Sequence, residues 1–446
     1  MKSDSMAMVR RTLRMAWPAV LESVFVAMAG LIDTMMVSAL GPSAVAAVGL
    51  TQQPKFIGLS PFFAINVALS AIMARRRGED NRKNAGDTFV TALCMILILC
   101  VLVTFLCVTF SDALMHLAGS SEDTHQDAAV YFRIIMGGTF FSVISMMINA
   151  AQRGTGNTRI SMTTNVTSSL VNILFNYLLI GGHWGFPAMG VTGAALATVL
   201  GTVVAMFMSI FSLFRKTSYL RAGFLRRCRP DRTCFLSLVK LGSNMFAENL
   251  AMRVGFVATA VMAAGLGTQA FAAHNVGMNF LSLGFSFGDG MQAAAVTLSG
   301  QSIGAGEKQE AIAYGRICQR VGLVISLMLS MVLLFLGRFL YGLYFSEDPL
   351  LDMGVLISRF STVIVILQIS QIIYGGCLRA GGDVRYTLIA SLVSVTLIRT
   401  LVTLVCTQFL NMGLSGIWLG VLADQLSRFI LLSLRFRKGQ WVNYRV

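Results

Sequence analysis

The sequence predicts an all-α membrane protein of about twelve transmembrane helices, arranged as two pseudo-symmetric six-helix bundles. The first observation behind this prediction is composition: of 446 residues, 55% are hydrophobic and only 12% are charged, and the mean hydropathy is +0.72. A soluble protein carries roughly twice that charged fraction. The second observation is an internal repeat, since the first half of the sequence recurs in the second half.

The repeat is clearest in two basic motifs, RGTGNTR at 153–159 and RAGGDVR at 379–385, which lie 226 residues apart (379 − 153). Other segments match at this spacing or with a small slip: Glu22 with Glu248, 41–47 with 267–273, and 189–193 with 412–416. A repeat of this length is the size of a membrane transporter half and far exceeds a solenoid period. We therefore expect a transport path between two related halves.

Apolar runs of about 20 residues recur along the chain, and each is long enough to cross a hydrocarbon core ~30 Å thick. Because lipid offers no hydrogen-bond partners, each run must satisfy its own backbone groups and should be helical. The predicted helices are 13–38, 52–74, 86–110, 127–151, 160–181, 190–214, 235–263, 276–303, 311–337, 353–378, 386–409 and 413–434. Six helices return each half to its starting side, so the internal repeat should be parallel and not inverted.

The net charge of +15 is concentrated in alternate connections. The basic segments are 2–14, 75–83, 215–232 and 435–445, and the acidic or neutral segments between them are 112–127, 181–187 and 347–352. This positive-inside pattern places both termini in the cytoplasm. We expect a multi-pass plasma-membrane protein, as in a bacterial inner membrane. Its charged partner should be the lipid surface and not nucleic acid, because the basic residues lie on separate loops without interleaved aromatic residues.

The basic segment 215–234 is polar, contains Pro230 and indicates a cytoplasmic linker. It divides the chain into an N-lobe, residues 1–214, and a C-lobe, residues 235–446. Each lobe can then pack as its own bundle and move against the other, which is the usual geometry for alternating access. We expect the protein to be a monomer.

The sequence has no motif for enzymatic chemistry. It lacks a Walker loop for ATP, its four histidines are scattered, and its eight cysteines form no CxxC pair. An intramembrane hydrolase would need a nucleophile–base pair, and a channel would need a symmetric pore ring. We therefore expect neither an enzyme nor a bound cofactor, apart from H⁺ or Na⁺ as a coupling ion.

Ionisable residues within the predicted helices carry most of the functional information, because burying one costs at least ~2.5–3.5 kcal/mol and needs a reason. They are Glu22, Asp33, Glu248, Arg253, Asp289, Arg399 and Asp424. Asp424 lies one turn before Arg428, which predicts an ion pair within one helix.

Asp33 lies deep in the first predicted helix and has Thr259, not an acid, at the matching position of the second half. Asn172 and Asn176 share one face of the fifth predicted helix, and Thr198 lies in the sixth. A carboxylate with amide and hydroxyl oxygens suits a desolvated Na⁺ or a relayed proton, so we predict an ion-coupling site from these four residues, with Asp33 as the Na⁺ ligand. The alternative is ordinary hydrogen bonding between helices.

Substrate binding is assigned to five residues in or near the matched helices: Glu22, Glu248, Gln368, Gln371 and Arg399. The equivalent positions of Glu22 and Glu248 leave two interpretations open. They form either a paired substrate site or a matched structural bond in each half. For Arg399, the alternative role is a structural counter-charge.

With these residues, the chain resembles the multidrug and toxic compound extrusion (MATE) transporters over essentially its whole length. The resemblance is carried, in this order, by WPAVLE…GLIDTMMV, LGPSAVAAVGL, QRGTGNTR, VNILFNYLLIGG, LGTQAFAAHNVGMNFLSLGFSFGDGMQAAAVTLSGQSIGAGE, LRAGGDVR and GLSGIWLGVLAD. The family's coupling acid falls on Asp33 and its fifth-helix Asn on Asn172. Acids that one branch uses in the C-lobe would fall on Met252 and Gln368, which cannot ionise.

The resemblance implies two lobes of six helices and export of amphipathic, usually cationic small molecules against entry of H⁺ or Na⁺. The alternative within the same superfamily is a flippase of lipid-linked saccharides. Such a flippase should have a strongly cationic cavity, and the few arginines within the predicted helices argue against it.

Overall fold

The structure is a computed structural model that describes residues 2–215 and 219–444. Within these ranges the chain is helical, with no strand. Residues 216–218 of the predicted linker and residues 445–446 of the basic C-terminus lie outside the described residues.

The helices follow one another with short connections. In chain order they are α1 (Lys2–Ser38), α2 (Pro42–Gly78), α3 (Arg82–Thr109), α4 (Ser111–Leu117), α5 (Glu122–Gly137), α6 (Thr139–Gly154), α7 (Thr158–Gly181), α8 (Gly190–Phe214), α9 (Ala222–Leu225), α10 (Arg232–Ala264), α11 (Thr268–Gly304), α12 (Lys308–Gly342), α13 (Asp348–Gly381), α14 (Val384–Ser391), α15 (Thr400–Leu404) and α16 (Gly413–Arg437). A π-helical segment, Leu392–Arg399, joins α14 to α15, and a second one, Val405–Phe409, follows α15, so that one irregular helix runs from Val384 to Phe409.

The predicted all-α membrane fold is confirmed, and the predicted runs coincide with helices, apart from Phe110 at the end of one run and the break at Gly138 inside another. Over the described ranges, nine helices are long and apolar enough to cross a membrane, and the pair α5 and α6 makes a tenth span bent by 46°. The two other long helices, α7 and α11, are more polar. In α7 the reason is clear, since Asn165 and Asn176 bind carboxylates on other helices.

The chain packs as two compact units. The N-unit is Leu21–Ser243, and the C-unit is Met1–Val20 with Asn244–Val446. Both unit boundaries therefore fall inside long helices, α1 and α10. The predicted division into lobes at the basic linker stays a prediction.

The two halves share a local backbone feature that the repeat explains. Gly41 precedes α2 with φ 108°, and Gly267 precedes α11 with φ 105°. Residues with a side chain rarely adopt this conformation, so glycine permits the same tight entry into a helix in each half.

Candidate functional site

The first candidate site lies in the N-unit, around Asp33 on α1. The Asp33 carboxylate is half-buried and accepts a hydrogen bond from the Asn176 side-chain amide on α7. Asn176 is fully buried, and its carbonyl oxygen Oδ1 has no hydrogen-bond partner among the described residues. This buried amide oxygen, next to a carboxylate, is therefore available to accept a hydrogen bond or to coordinate a cation.

A lysine that the sequence analysis did not select adds a positive charge to this site. Lys55 on α2 is half-buried, and its charge interacts with that of Asp33. It lies on the same face of α2 as Val48 and Ala44, at spacings of seven and eleven residues. Both of these residues pack in a cluster with Tyr131 of α5. Helix spacing therefore directs Lys55 toward the same side of the bundle.

Two of the predicted residues extend the site along α7 and α8. The Asn172 amide donates a hydrogen bond of 3.2 Å to the Thr198 hydroxyl. Tyr131 is buried. It lies within hydrogen-bonding reach of Thr198 and close enough to Asp33 for an electrostatic interaction. We refer to Asp33, Lys55, Tyr131, Asn172, Asn176 and Thr198 as the Asp33 site.

The structure thus brings together the four residues predicted for ion coupling, through two direct hydrogen bonds on three helices. The chemistry of the donor set suits H⁺ or Na⁺, since it offers a carboxylate with amide and hydroxyl oxygens. No group of three or more His, Cys, Asp or Glu side chains that could hold a metal ion occurs within 2–215 and 219–444. The role of these residues in coupling stays a prediction.

Glu22 and its repeat partner Glu248 are both buried and both held by an arginine. Glu22, 6% exposed, accepts a hydrogen bond of 3.0 Å from Arg153. Glu248, 4% exposed, accepts one of 2.7 Å from Arg379. Each arginine is the first residue of its repeated motif, RGTGNTR or RAGGDVR.

Two further donors bind each carboxylate. Ser161 and Asn165 donate to Glu22 in the N-unit. In the C-unit, the donors to Glu248 are Thr387 and Ser391.

All four members of one network are therefore 226 residues from their counterparts: Glu22 and Glu248, Arg153 and Arg379, Ser161 and Thr387, Asn165 and Ser391. We call these the twin Glu–Arg networks. Of the two interpretations left open by the sequence, the contacts favour a matched structural bond.

The three other residues predicted for substrate binding lie buried inside the C-unit. The Gln368 amide donates to the carbonyl oxygen of Leu281, and the Gln371 amide donates to Gln425. Arg399 donates to the Thr259 hydroxyl at 2.9 Å.

Arg399 also belongs to a charged cluster around Asp424. The two residues approach to 3.5 Å, and Arg428 binds both oxygens of Asp424 at 2.9 and 3.0 Å. This confirms the ion pair that the Asp424–Arg428 spacing predicted. It also favours the counter-charge role for Arg399. Arg428 further donates to the sulfur of Met252, one of the positions where a family branch carries an acid.

Apolar membrane-spanning helices in two related sets, with acids held among them, define a multi-pass membrane protein of the transporter class. The chain belongs to the MatE family, whose model matches residues 18–178 and 245–405. The two matched blocks cover most of the chain and correspond to its two repeats, which confirms the resemblance to MATE transporters.

Curated relatives and solved structures agree with this assignment. The chain is 25% identical to the probable multidrug resistance protein NorM of Thermotoga maritima, over 97% of this chain and 93% of that protein. It is 26% identical to the multidrug resistance protein PmpM of Pseudomonas aeruginosa, over 97% and 92%.

Among solved structures, the fold matches an outward-facing multidrug resistance MATE family transporter of the MOP superfamily, with a TM-score of 0.90 and 22% identity over 97% of both chains. It also matches a MOP superfamily transporter from Pyrococcus furiosus, described as having a binding pocket of reverse polarity, with a TM-score of 0.90 and 23% identity over 98% and 97%.

Proposed function

We propose that this protein is a secondary active antiporter that exports amphipathic, cationic small molecules in exchange for H⁺ or Na⁺. The observation that carries the proposal is Asp33, a half-buried carboxylate within a membrane-spanning helix that is bound by a neutral amide, Asn176. An acid in this setting can be neutralised by an incoming cation without breaking an ion pair. The relatives named for multidrug resistance support a small-molecule substrate.

The mechanism follows from the charge of Asp33. When a proton or Na⁺ binds the carboxylate, the hydrogen bond from Asn176 loses its charged acceptor and weakens. The free oxygen of Asn176 becomes available as a ligand for Na⁺ or as an acceptor for the new proton. We propose that this rearrangement of α1 against α7 favours release of cationic substrate, and that loss of the ion restores the substrate-binding state.

Glu22 and Glu248 have a different role in this proposal. The donors to Glu22 all bind its Oε1, and its buried Oε2 has no hydrogen-bond partner among the described residues, whereas both oxygens of Glu248 accept hydrogen bonds. Each carboxylate is already neutralised by an arginine, so a cationic substrate would have to displace an ion pair to bind there. We propose that they position the helices around them and do not bind substrate directly. The same argument applies to Arg399, whose guanidinium is shared between Thr259 and Asp424.

The test is a flux assay in proteoliposomes with an imposed H⁺ or Na⁺ gradient and a panel of cationic dyes. We expect one gradient to drive dye transport by the wild type, and Asp33→Asn to abolish it, because the amide keeps the size of the side chain but cannot exchange a proton or neutralise a cation. Counter-ion uptake per dye molecule is measured in the same vesicles.

The matched control is Asp123→Asn, the same chemical change at the exposed start of α5. It should leave coupled transport intact. If Asp33→Asn shows undiminished coupled transport, Asp33 is not part of the mechanism. If neither the H⁺ nor the Na⁺ gradient drives dye transport by the wild type, antiport itself is contradicted.

A further inference from the structure

A furrow on the N-unit is unrelated to the Asp33 site. It lies between α2, α3 and the segment that enters α10, and its volume is about 570 Å³. Every residue that lines it belongs to the N-unit. Its walls are apolar over most of their length and polar at one end, where Asp231 and Arg232 begin α10.

The apolar part of the furrow is open on the outside of the helix bundle. Ile98 is 74% exposed and Leu102 53% exposed on α3, and Phe235 is 44% exposed on α10. Both helices are long and apolar enough to span a membrane, so these exposed apolar side chains are suited to contact acyl chains. The lining residues of α3 run from Thr91 to Leu102, a length of about 16 Å at the rise of an α-helix. The furrow therefore has the length and chemistry of a groove for one acyl chain.

The polar end is fixed in place by hydrogen bonds between the linker and α3. The Asp231 backbone N–H donates to the Thr91 hydroxyl at 3.0 Å, and the Arg229 N–H donates to the Asp87 carboxylate at 3.0 Å. The Asp231 carboxylate in turn accepts from the N–H groups of Thr233 and Cys234 at the start of α10. This polar end, which we call the mouth of the furrow, is therefore held in a defined position by hydrogen bonds.

These contacts leave the mouth with an excess of positive charge. Bonds from the Thr233 hydroxyl and the Cys234 N–H hold the pKa of Asp231 below its usual range, so the carboxylate is charged and occupied by the helix start. Arg232 lines the furrow with an exposed side chain. Three more exposed arginines precede it in the linker: Arg226, Arg227 and Arg229.

We infer that the furrow binds one anionic phospholipid of the cytoplasmic leaflet, with an acyl chain along α3 and the phosphate at Arg232. Charge complementarity favours an anionic head group, because the four arginines near the mouth outnumber the two carboxylates of Asp87 and Asp231. Arginine offers the planar set of donors that phosphate accepts. The inference does not depend on antiport, because every contact that supports it lies outside the Asp33 site.

The test uses purified full-length protein in detergent and two short-chain lipids, dioctanoyl phosphatidylglycerol and dioctanoyl phosphatidylcholine, with binding followed by native mass spectrometry. We expect phosphatidylglycerol to bind the wild type with one preferred site and at least tenfold more tightly than phosphatidylcholine. Arg232→Gln should lower that affinity about tenfold by removing the charge, and Ile98→Trp should lower it by filling the groove.

Two controls match these variants. Val101→Trp adds the same bulk at an exposed position of α3 that does not line the furrow, and Arg385→Gln removes the same charge from an exposed position of the C-unit, away from the four arginines near the furrow. Both should bind phosphatidylglycerol as the wild type does, and melting without lipid checks that all four variants fold. Equal affinity for the two lipids, or unchanged affinity in both Arg232→Gln and Ile98→Trp, would overturn the inference. Competition by a cationic dye would also overturn it, since the furrow would then be a substrate entrance.

Discussion

The two repeats hold the same Glu–Arg network, yet they differ at the centre of the same helices. At the spacing of 226 residues, Asp33 of the N-unit corresponds to Thr259 of the C-unit, and Lys55 corresponds to Leu281. At the slipped spacing of 223 (412 − 189), Asn176 corresponds to Arg399. In both units the fifth helix of the repeat donates a hydrogen bond to the first, from Asn176 to Asp33 and from Arg399 to Thr259.

The hydrogen bond between these two helices is therefore present in both units, but its charged member is an acid in the N-unit and a cation in the C-unit. The N-unit places a half-buried acid on the first helix, and the C-unit places a fully buried cation on the fifth. Asp424 and Arg428, which close the cluster around Arg399, stand where the N-unit has Gly201 and Ala205 at the slipped spacing. We therefore propose that the two repeats differ in role. The N-unit keeps the Asp33 carboxylate available for ion exchange, whereas the C-unit pairs its buried charges with one another.

The largest expected effect tests that division through stability. Asp424→Asn should destabilise the protein by about 3–5 kcal/mol, because it leaves two buried guanidinium groups without their shared carboxylate. Asp33→Asn should cause no loss and should raise the melting temperature slightly, since the desolvation of a charge disappears. Thermal melting of both variants in one detergent measures the contrast. If the two substitutions shift the melting temperature equally, Asp33 and Asp424 do not differ in their contribution to stability, and the proposed difference between the two units is wrong.

The next effect tests the equivalence of the twin Glu–Arg networks. Glu22→Gln and Glu248→Gln should each cost about 1.5–3 kcal/mol, the range for a hydrogen bond to a charged group, and the two losses should be similar. Melting temperature gives the first readout. Binding of cationic and neutral ligands gives the second, and a positioning role predicts that both kinds are affected alike. A selective loss of cationic ligand in Glu248→Gln would instead restore it as a substrate residue.

A smaller effect concerns Lys55, whose matching position in the C-unit is the uncharged Leu281. Lys55→Gln should strengthen binding of the coupling ion at Asp33 about five- to tenfold, because a neighbouring positive charge that opposes the incoming cation is removed. The concentration of H⁺ or Na⁺ that gives half-maximal transport measures the change. Lys55→Arg, which keeps the charge, is the matched control. An unchanged ion dependence in Lys55→Gln would exclude Lys55 from the Asp33 site.

The smallest perturbation tests whether the repeats are parallel. Single cysteines replace Asp123, Asp348 and Arg226, which are exposed, in a background without the native cysteines. We expect Asp123→Cys and Asp348→Cys to react with an impermeant reagent from outside, and Arg226→Cys only from inside, because basic connections stay in the cytoplasm. Labelling of Asp123→Cys and Asp348→Cys from opposite sides would show an inverted repeat.

Hydropathy and the repeat were sufficient to predict the helices, because both signals are local or depend on spacing alone. The more polar helices α7 and α11 were predicted as well, because each still contains a long apolar run. The break at Gly138 between α5 and α6 was not predicted, because 127–151 was treated as one span, although the adjacent Gly137 and Gly138 mark the position of the bend.

The partners of the acids were harder to predict than the acids themselves. Glu22 binds an arginine 131 residues away, and nothing in the sequence around either residue specifies that contact. A usable signal did exist, because Glu22 and Arg153 recur together as Glu248 and Arg379. Lys55 was overlooked because it lies near the end of its predicted helix, where a lysine is expected to reach the interface.

The positions of the unit boundaries have a consequence for expressing the two halves separately. The boundary falls between Val20 and Leu21 in α1 and between Ser243 and Asn244 in α10, nearly one repeat apart. Each unit is therefore completed by the opening segment of the other repeat's first helix. The segment 235–446 expressed alone would therefore lack Met1–Val20, whose Ala16 lies in the hydrophobic core of the C-unit.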